Sequence, residues 1–169
     1  MVNYRKSLTL AGVTATIAAG GLLAGAGAAQ ANPSDTNTCQ PGQVTAAAEE
    51  VPSNSVDTKN FVVTFYATPG TQCLLTGTPR DLVFHSAGGA ELGVDSYSTG
   101  SENTQVWLDD THPAQVDLHA PYAQEPGAPA AEATFTMANS TDGVPFAIAW
   151  PADVNGPVEI GSLTGGNPG

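Results

Sequence analysis

Phe61-Val62-Val63-Thr64-Phe65-Tyr66-Ala67-Thr68 decides how the chain is read. In an extended conformation Phe61, Val63, Phe65 and Ala67 fall on one face and Val62, Thr64, Tyr66 and Thr68 on the other. Aromatic and β-branched content favours the same strand. Pro69-Gly70-Thr71-Gln72 then supplies turn chemistry, because Pro fixes φ and Gly accepts positive φ. A short strand over residues 73–76 follows, in which Cys73 and Leu75 share a face.

Working outward, residues 44–50 form a first strand and residues 52–59 a polar connection. After the break at Gly77-Thr78-Pro79, a strand over 81–85 and a hairpin connection at Ala87-Gly88-Gly89-Ala90 lead into another strand over 91–94. Residues 95–104, rich in Ser, Gly and Asn, read as a surface loop. Strand 105–108 carries Trp107, and 109–113 turns the chain into a clean alternation: Ala114, Val116, Leu118 and Ala120 inward, Gln115, Asp117 and His119 outward. A long Pro, Gly and Ala connection occupies 121–129. Residues 132–137 then offer Ala133, Phe135 and Met137 to the core as a strand, with a short helix as the alternative, and strands at 144–150 and 158–163 complete the series.

Short strands spaced about ten residues apart, with no sustained helical period past Ala31, predict an all-β fold. An immunoglobulin-like antiparallel β-sandwich of about eight strands is the economical solution, and a small closed barrel is its main alternative.

The first 31 residues read as an export signal. Arg5 and Lys6 form the charged start, residues 8–29 are small and apolar, and Ala29-Gln30-Ala31 is the cleavage tripeptide. The expected organisation is therefore a cleaved signal peptide (1–31), a flexible leader (32–38), one β-sandwich domain (39–163) and a flexible tail (164–169). Leu22-Leu23-Ala24-Gly25 resembles a lipoprotein box, but Ala26 stands where the modified Cys is required, so no lipid anchor is expected. The Arg-Lys pair is a poor twin-arginine signal, which favours the general secretory route. No membrane span is expected after cleavage.

All 16 acidic residues lie beyond Ala31, against only Lys59 and Arg80 among the basic ones, so the exported part carries a charge of −14 with His neutral. Two basic residues that far apart build no phosphate-binding surface, which makes nucleic acid and anionic lipid poor partners, and no nucleic-acid partner is expected. The scattered acidic residues read as a solubility device. Cys39 and Cys73 both lie in the exported part, where disulfides persist, and pair unambiguously if oxidised. The bridge closes a loop of about 35 residues and contributes roughly 3 to 4 kcal/mol in the chain-entropy model. A Cys-His thiol or a metal ligand is the competing use of the two sulfurs.

Chemistry-bearing residues are few. His112 and His119 lie near Asp109, Asp110 and Asp117, and Asp117 and His119 point the same way on one strand, a pattern that permits weak capture of a divalent ion. Asp-Xaa-His on a solvated strand face is, however, ordinarily plain surface. Asp109 and Asp110 invite calcium without any EF-hand pattern. Ser, His and Asp all occur, with His85 or His119 as the conceivable base, but no Gly-Xaa-Ser-Xaa-Gly elbow is present. Paired carboxylates for glycoside hydrolysis lack an aromatic sugar platform near any one pair. Gly88-Gly89 is followed by neither helix nor Lys, so it cradles no phosphate. Trp107 and Trp150 read as core residues; exposure of either beside Tyr97 or Tyr122 would point instead to a carbohydrate or protein contact.

The export signal, Cys39, and the run from Thr68-Pro69-Gly70-Thr71-Gln72-Cys73 through Leu74-Leu75-Thr76-Gly77-Thr78-Pro79 resemble the secreted actinobacterial family known as domain of unknown function 4232. Its pattern is an Asn-Xaa-Gly turn followed by Cys-Xaa-Leu-Xaa-Gly-aromatic-Pro. Cys73, Leu75, Gly77 and Pro79 match; Thr68 stands for the Asn and Thr78 for the aromatic. Thr111-His112-Pro113 replaces the family's Pro-Gly turn, and its later cysteines are missing. The resemblance runs from Cys39 to about Leu163. It implies an exported β-sandwich and lends no catalytic residue, with Cys73, Leu75, Gly77 and Pro79 acting as bridge, core contact, permissive turn and rigid corner.

The function expected is that of a non-enzymatic, cofactor-free interaction module, secreted or associated with the cell wall, with an extracellular or cell-envelope protein or glycan as partner. A weak metal module using His112, His119 and a nearby Asp is the alternative, and a secreted hydrolase the third reading.

Overall fold

A computed structural model describes residues 38–137 and 146–166. The export signal, most of the leader, the start of the strand expected at 144 and residues 167–169 lie outside them. After a 3-10 turn at Pro41–Gln43 come β1 (Val44–Val51), β2 (Thr58–Ala67), β3 (Cys73–Thr76), β4 (Pro79–His85), β5 (Ser96–Ser98), β6 (Gln105–Leu108), β7 (Ala114–Pro121), β8 (Glu132–Met137), β9 (Phe146–Ala149) and β10 (Val158–Gly165).

β2 alternates as its sequence requires, burying Phe61, Val63 and Phe65 and turning Tyr66 outward. It lies between β1 and β7 in a five-stranded sheet of order β1-β2-β7-β10-β5. β7 contributes Ala114, Val116, Leu118 and Ala120 to the core, all fully buried. A three-stranded sheet, β4-β8-β9, forms the second layer. Rings from the two layers meet between them. Phe65 of β2 sets its ring edge-on to Phe135 of β8 and Phe146 of β9, with centroids 5.9 and 6.0 Å apart. Trp150 packs against both Phe61 of β2 and Phe84 of β4, at 4.7 and 4.8 Å. These contacts make the protein a β-sandwich rather than a closed barrel, and residues 132–137 a strand rather than a helix.

β3 and β6 form a separate two-stranded ribbon. Cys73, Leu75, Thr76 and Leu108 are its buried side chains, and Cys73 is bonded to Cys39 with Cα atoms 4.9 Å apart. Gly77, directly after β3, has φ +85° and donates its N–H to the Thr104 carbonyl at 2.8 Å, a conformation that glycine adopts without steric cost. Pro79 opens β4, the first position of a strand, where a missing N–H is tolerated.

Three elements depart from the sequence reading. The strand expected at 91–94 shrinks to one bridge, Glu91 to His85, with Leu92 N–H donating to the Phe84 carbonyl. Residues 95–104 contain β5, which pairs parallel with β10. Its Ser-Tyr-Ser sequence has no hydrophobic alternation to reveal it, and the strand is created by its neighbour. β10 extends to Gly165, and Gly166 N–H donates to the Pro113 carbonyl at 2.8 Å, so ordered pairing outlasts Leu163.

β4 carries an irregularity between Arg80 and Val83, where Asp81 takes φ +53° and its carboxylate accepts from Thr136 Oγ1 at 3.1 Å. Asp tolerates the left-handed region far better than a β-branched residue. Asp81→Val is therefore expected to lower stability by about 1–2 kcal/mol and Asp81→Asn to leave it nearly unchanged, as read from urea midpoints. Equal midpoints for the two variants would contradict the strained bulge.

Strand register also sorts the loops between two poles. Val44 pairs with Ala67, Ala114 with Phe65 and with Gly165, and Thr38 with Leu74, so both ends of the described domain and the disulfide gather at one pole. Val51 pairs with Asn60 and Thr58 with Pro121, while Lys59 Nζ donates to the Asp153 carbonyl at 3.2 Å. The β1–β2, β7–β8 and β9–β10 connections therefore meet at the opposite, distal pole.

Candidate functional site

The three histidines lie apart, each with its own partner. His112 precedes β7 and His119 sits near its far end, so an extended strand holds them roughly 20 Å apart at about 3.3 Å per residue. Among the described residues no group of three His, Cys, Asp or Glu side chains converges as a metal site would require. His119 and Asp117 do share the outer face of β7, but His119 Nδ1 is 2.8 Å from Asn60 Oδ1 on β2. His119 also pairs in register with Glu159, whose carboxylate accepts from Tyr97 OH at 3.2 Å and Thr99 Oγ1 at 2.9 Å. His85 Nε2 lies 3.0 Å from Thr134 Oγ1. The ligand set His112, His119 and Asp117 is thus not assembled.

The carboxylates of the Asp109–His112 loop, where the sequence invites calcium, are engaged in hydrogen bonds within the loop and to its neighbour. Asp109 Oδ1 accepts from Thr111 N–H at 2.8 Å, Thr111 Oγ1 at 2.8 Å and His112 N–H at 2.9 Å, and His112 Nδ1 stands 2.9 Å from both carboxylate oxygens. Asp110 accepts from Gly70 N–H at 3.1 Å. Both aspartates line a shallow surface hollow with residues 70–72 and Thr111, and these bonds hold the turns beside it closed. The Thr111 amide above all, then the His112 ring and the Thr111 hydroxyl, keep the Asp109 carboxyl well below the usual carboxylate range.

A depressed folded-state pKa stabilises above the unfolded value, about pH 4, and that contribution is lost as pH falls through the folded value. Asp109→Ala should accordingly shrink the difference in urea midpoint between neutral and strongly acidic solution. An unchanged difference would show that this loop does not contribute to acid sensitivity.

The tryptophans divide. Trp150 is buried, directly after β9. Trp107 is not a core residue: it is 48% exposed, because β6 belongs to a narrow ribbon that turns Leu108 to the core and Trp107 outward opposite Leu74. Leu74 also bridges Thr38, which places Trp107 at the pole where the described domain begins and ends, away from Tyr122. No joint platform of Trp107 and Tyr122 exists.

The distal pole instead carries two adjoining hollows. The larger, about 680 Å³, is lined by Val51, Pro52, Val56, Thr58, Lys59 and Tyr122, among others; the smaller, about 210 Å³, by Lys59, Tyr122, Gln124, Glu125, Asp153 and Asn155, among others. Val56 is 85% exposed and Tyr122 55%. The backbone beneath is fixed. Tyr122 N–H donates to the Asp57 carbonyl at 2.8 Å, and Ala128 and Val154 exchange two backbone hydrogen bonds. A Cβ on Gly127 would stand 2.7 Å from the Val154 carbonyl oxygen, so only glycine permits this approach. Of these residues the sequence singled out Tyr122 alone. Lys59 stood out only as one of two remaining cations, and nothing short of the β1–β2–β7 register brings residues 52–59, 121–127 and 151–155 together. No histidine lines either hollow.

Comparison of the chain with family models, curated proteins and solved structures returns no match in any of the three.

Proposed function

We propose that this protein is an exported, non-enzymatic binding module of the extracellular space or cell envelope, which presents its distal pole to a protein or glycan partner. The observation that carries this reading is the exposure of Val56 and Tyr122 over a hollow opposite both ends of the described domain. Export is supported by the Cys39–Cys73 disulfide, which belongs to an oxidising compartment. Among the described residues no helix is long and apolar enough to cross a membrane. The separation of His85, His112 and His119, each with a non-serine partner, favours binding over hydrolysis. The resemblance to the domain of unknown function 4232 family, carried by Cys73, Leu75, Gly77 and Pro79, fits the same role.

Crosslinking on intact producer cells tests it. Wild-type protein should capture a surface component, and the paired substitution Val56→Ser with Tyr122→Ala should lose it while folding normally. Equal capture by both proteins would place the contact elsewhere.

A further inference from the structure

We infer that the distal pole is a carbohydrate site that takes a neutral glycan across the exposed ring of Tyr122; this rests on the binding-module reading above. Tyr122 lines both hollows, so it stands where they adjoin. An aromatic side chain that is more than half exposed but anchored by its own backbone N–H offers rigid apolar area, the complement of a pyranose C–H face, at low ordering cost.

Around it the polar groups are mixed. Gln124 and Asn155 contribute amides that donate and accept, Glu125 and Asp153 contribute acceptors, and Ser53, Ser55 and Thr58 contribute hydroxyls. Among the described residues the side-chain amides of Gln124 and Asn155 have no internal hydrogen bond. A sugar hydroxyl donates and accepts at once, so this set suits it. A protein partner would need an apolar patch within roughly 800 Å² of buried surface on each side. The pole offers two exposed large apolar side chains, Val56 and Tyr122, inside a charged rim.

Charge narrows the glycan class. Glu50, Glu125 and Asp153 share the lining of the two hollows with Lys59, the one cation in either, and the exported chain is strongly acidic overall. Uronate, sulfated and phosphate-bearing polymers are repelled by such a field, whereas a neutral chain is not.

The test is calorimetric titration of the secreted protein with three oligosaccharides: a β-1,4-linked N-acetylglucosamine hexamer, a β-1,4-linked glucose hexamer and an oligogalacturonate. At least one neutral hexamer should bind saturably at millimolar concentration or better, with the oligogalacturonate weaker. Tyr122→Ala should weaken binding about tenfold or more, the equivalent of about 1.4 kcal/mol, while Tyr122→Phe stays within about threefold of wild type and both variants keep the wild-type urea midpoint. The inference is overturned by silence from both neutral hexamers, by tighter binding of the oligogalacturonate, or by undiminished binding in Tyr122→Ala. If the hexamers fail while Tyr122-dependent crosslinking to a surface protein succeeds, the carbohydrate assignment falls and the binding-module reading stands. If both fail, both fall.

Discussion

Reduction of the Cys39–Cys73 bridge is expected to lower stability by about 3–4 kcal/mol, the loop-entropy value for a closed loop of this size. The bridge spans 34 positions and ties the segment before β1 to β3, where Cys39 N–H also donates to the Leu74 carbonyl at 3.1 Å. Loss of the covalent link therefore frees the start of the domain from the ribbon that β3 and β6 form. Both cysteines are buried, so a serine pair would leave hydroxyls without partners, and Cys39→Ala with Cys73→Ala is the cleaner variant. It should match the reduced wild type in urea midpoint. Its denaturant dependence should be steeper, because an uncrosslinked unfolded chain exposes more surface. A domain of this size has about 5–15 kcal/mol in total, so the variant should be folded but visibly weakened. A reduced protein within about 1 kcal/mol of the oxidised one would mean that the native contacts around β3 hold without the link, contrary to the entropic account.

The elements legible in the sequence are those that carry their own alternation. β2 and β7 declare themselves because every second residue is apolar, and both occupy interior places in the larger sheet, where one face must be buried. β3 was legible from Cys73 and Leu75 between two turn signals. β5 was not, since Ser96-Tyr97-Ser98 carries no pattern and becomes a strand only by lying parallel to β10. Trp107 misleads for a related reason. Size and hydrophobicity argue for the core, but which face of a four-residue ribbon strand turns inward is decided by Leu108 and the disulfide beside it.

The candidate site was the least legible part. His112, Asp117 and His119 lie close in sequence, and that closeness is what an extended strand undoes. Tyr122 lies far in sequence from Val56 and Lys59 and meets them because β1, β2 and β7 end together. Residue type marks chemistry, but long-range register decides which residues share a place.

Phe65→Ala is the substitution expected to cost most, about 3–5 kcal/mol. Phe65 is fully buried, and its ring stands edge-on to Phe135 and Phe146, which stack on each other at 5.3 Å from the opposite layer. Deletion of the ring removes the larger sheet's share of that cluster and leaves a cavity whose walls belong to two sheets, so neither can close it without shifting its own strand pairing. The adjacent residue is the control. Tyr66 is aromatic and belongs to the same strand, yet it faces outward, and Tyr66→Ala should change stability by less than about 1 kcal/mol. The contrast between neighbours tests the two-residue period that organises the fold, which neither substitution tests alone. Phe65 and the disulfide act in different places, one on the native core and the other on the unfolded chain, so their effects should add. Phe65→Ala in reduced protein would then lose about 6–9 kcal/mol and stand at the edge of unfolding at room temperature, whereas oxidised Phe65→Ala remains folded. If urea titration shows Phe65→Ala and Tyr66→Ala to be equally mild, the two layers do not pack through Phe65 and the sandwich arrangement of β2 over β8 and β9 is wrong.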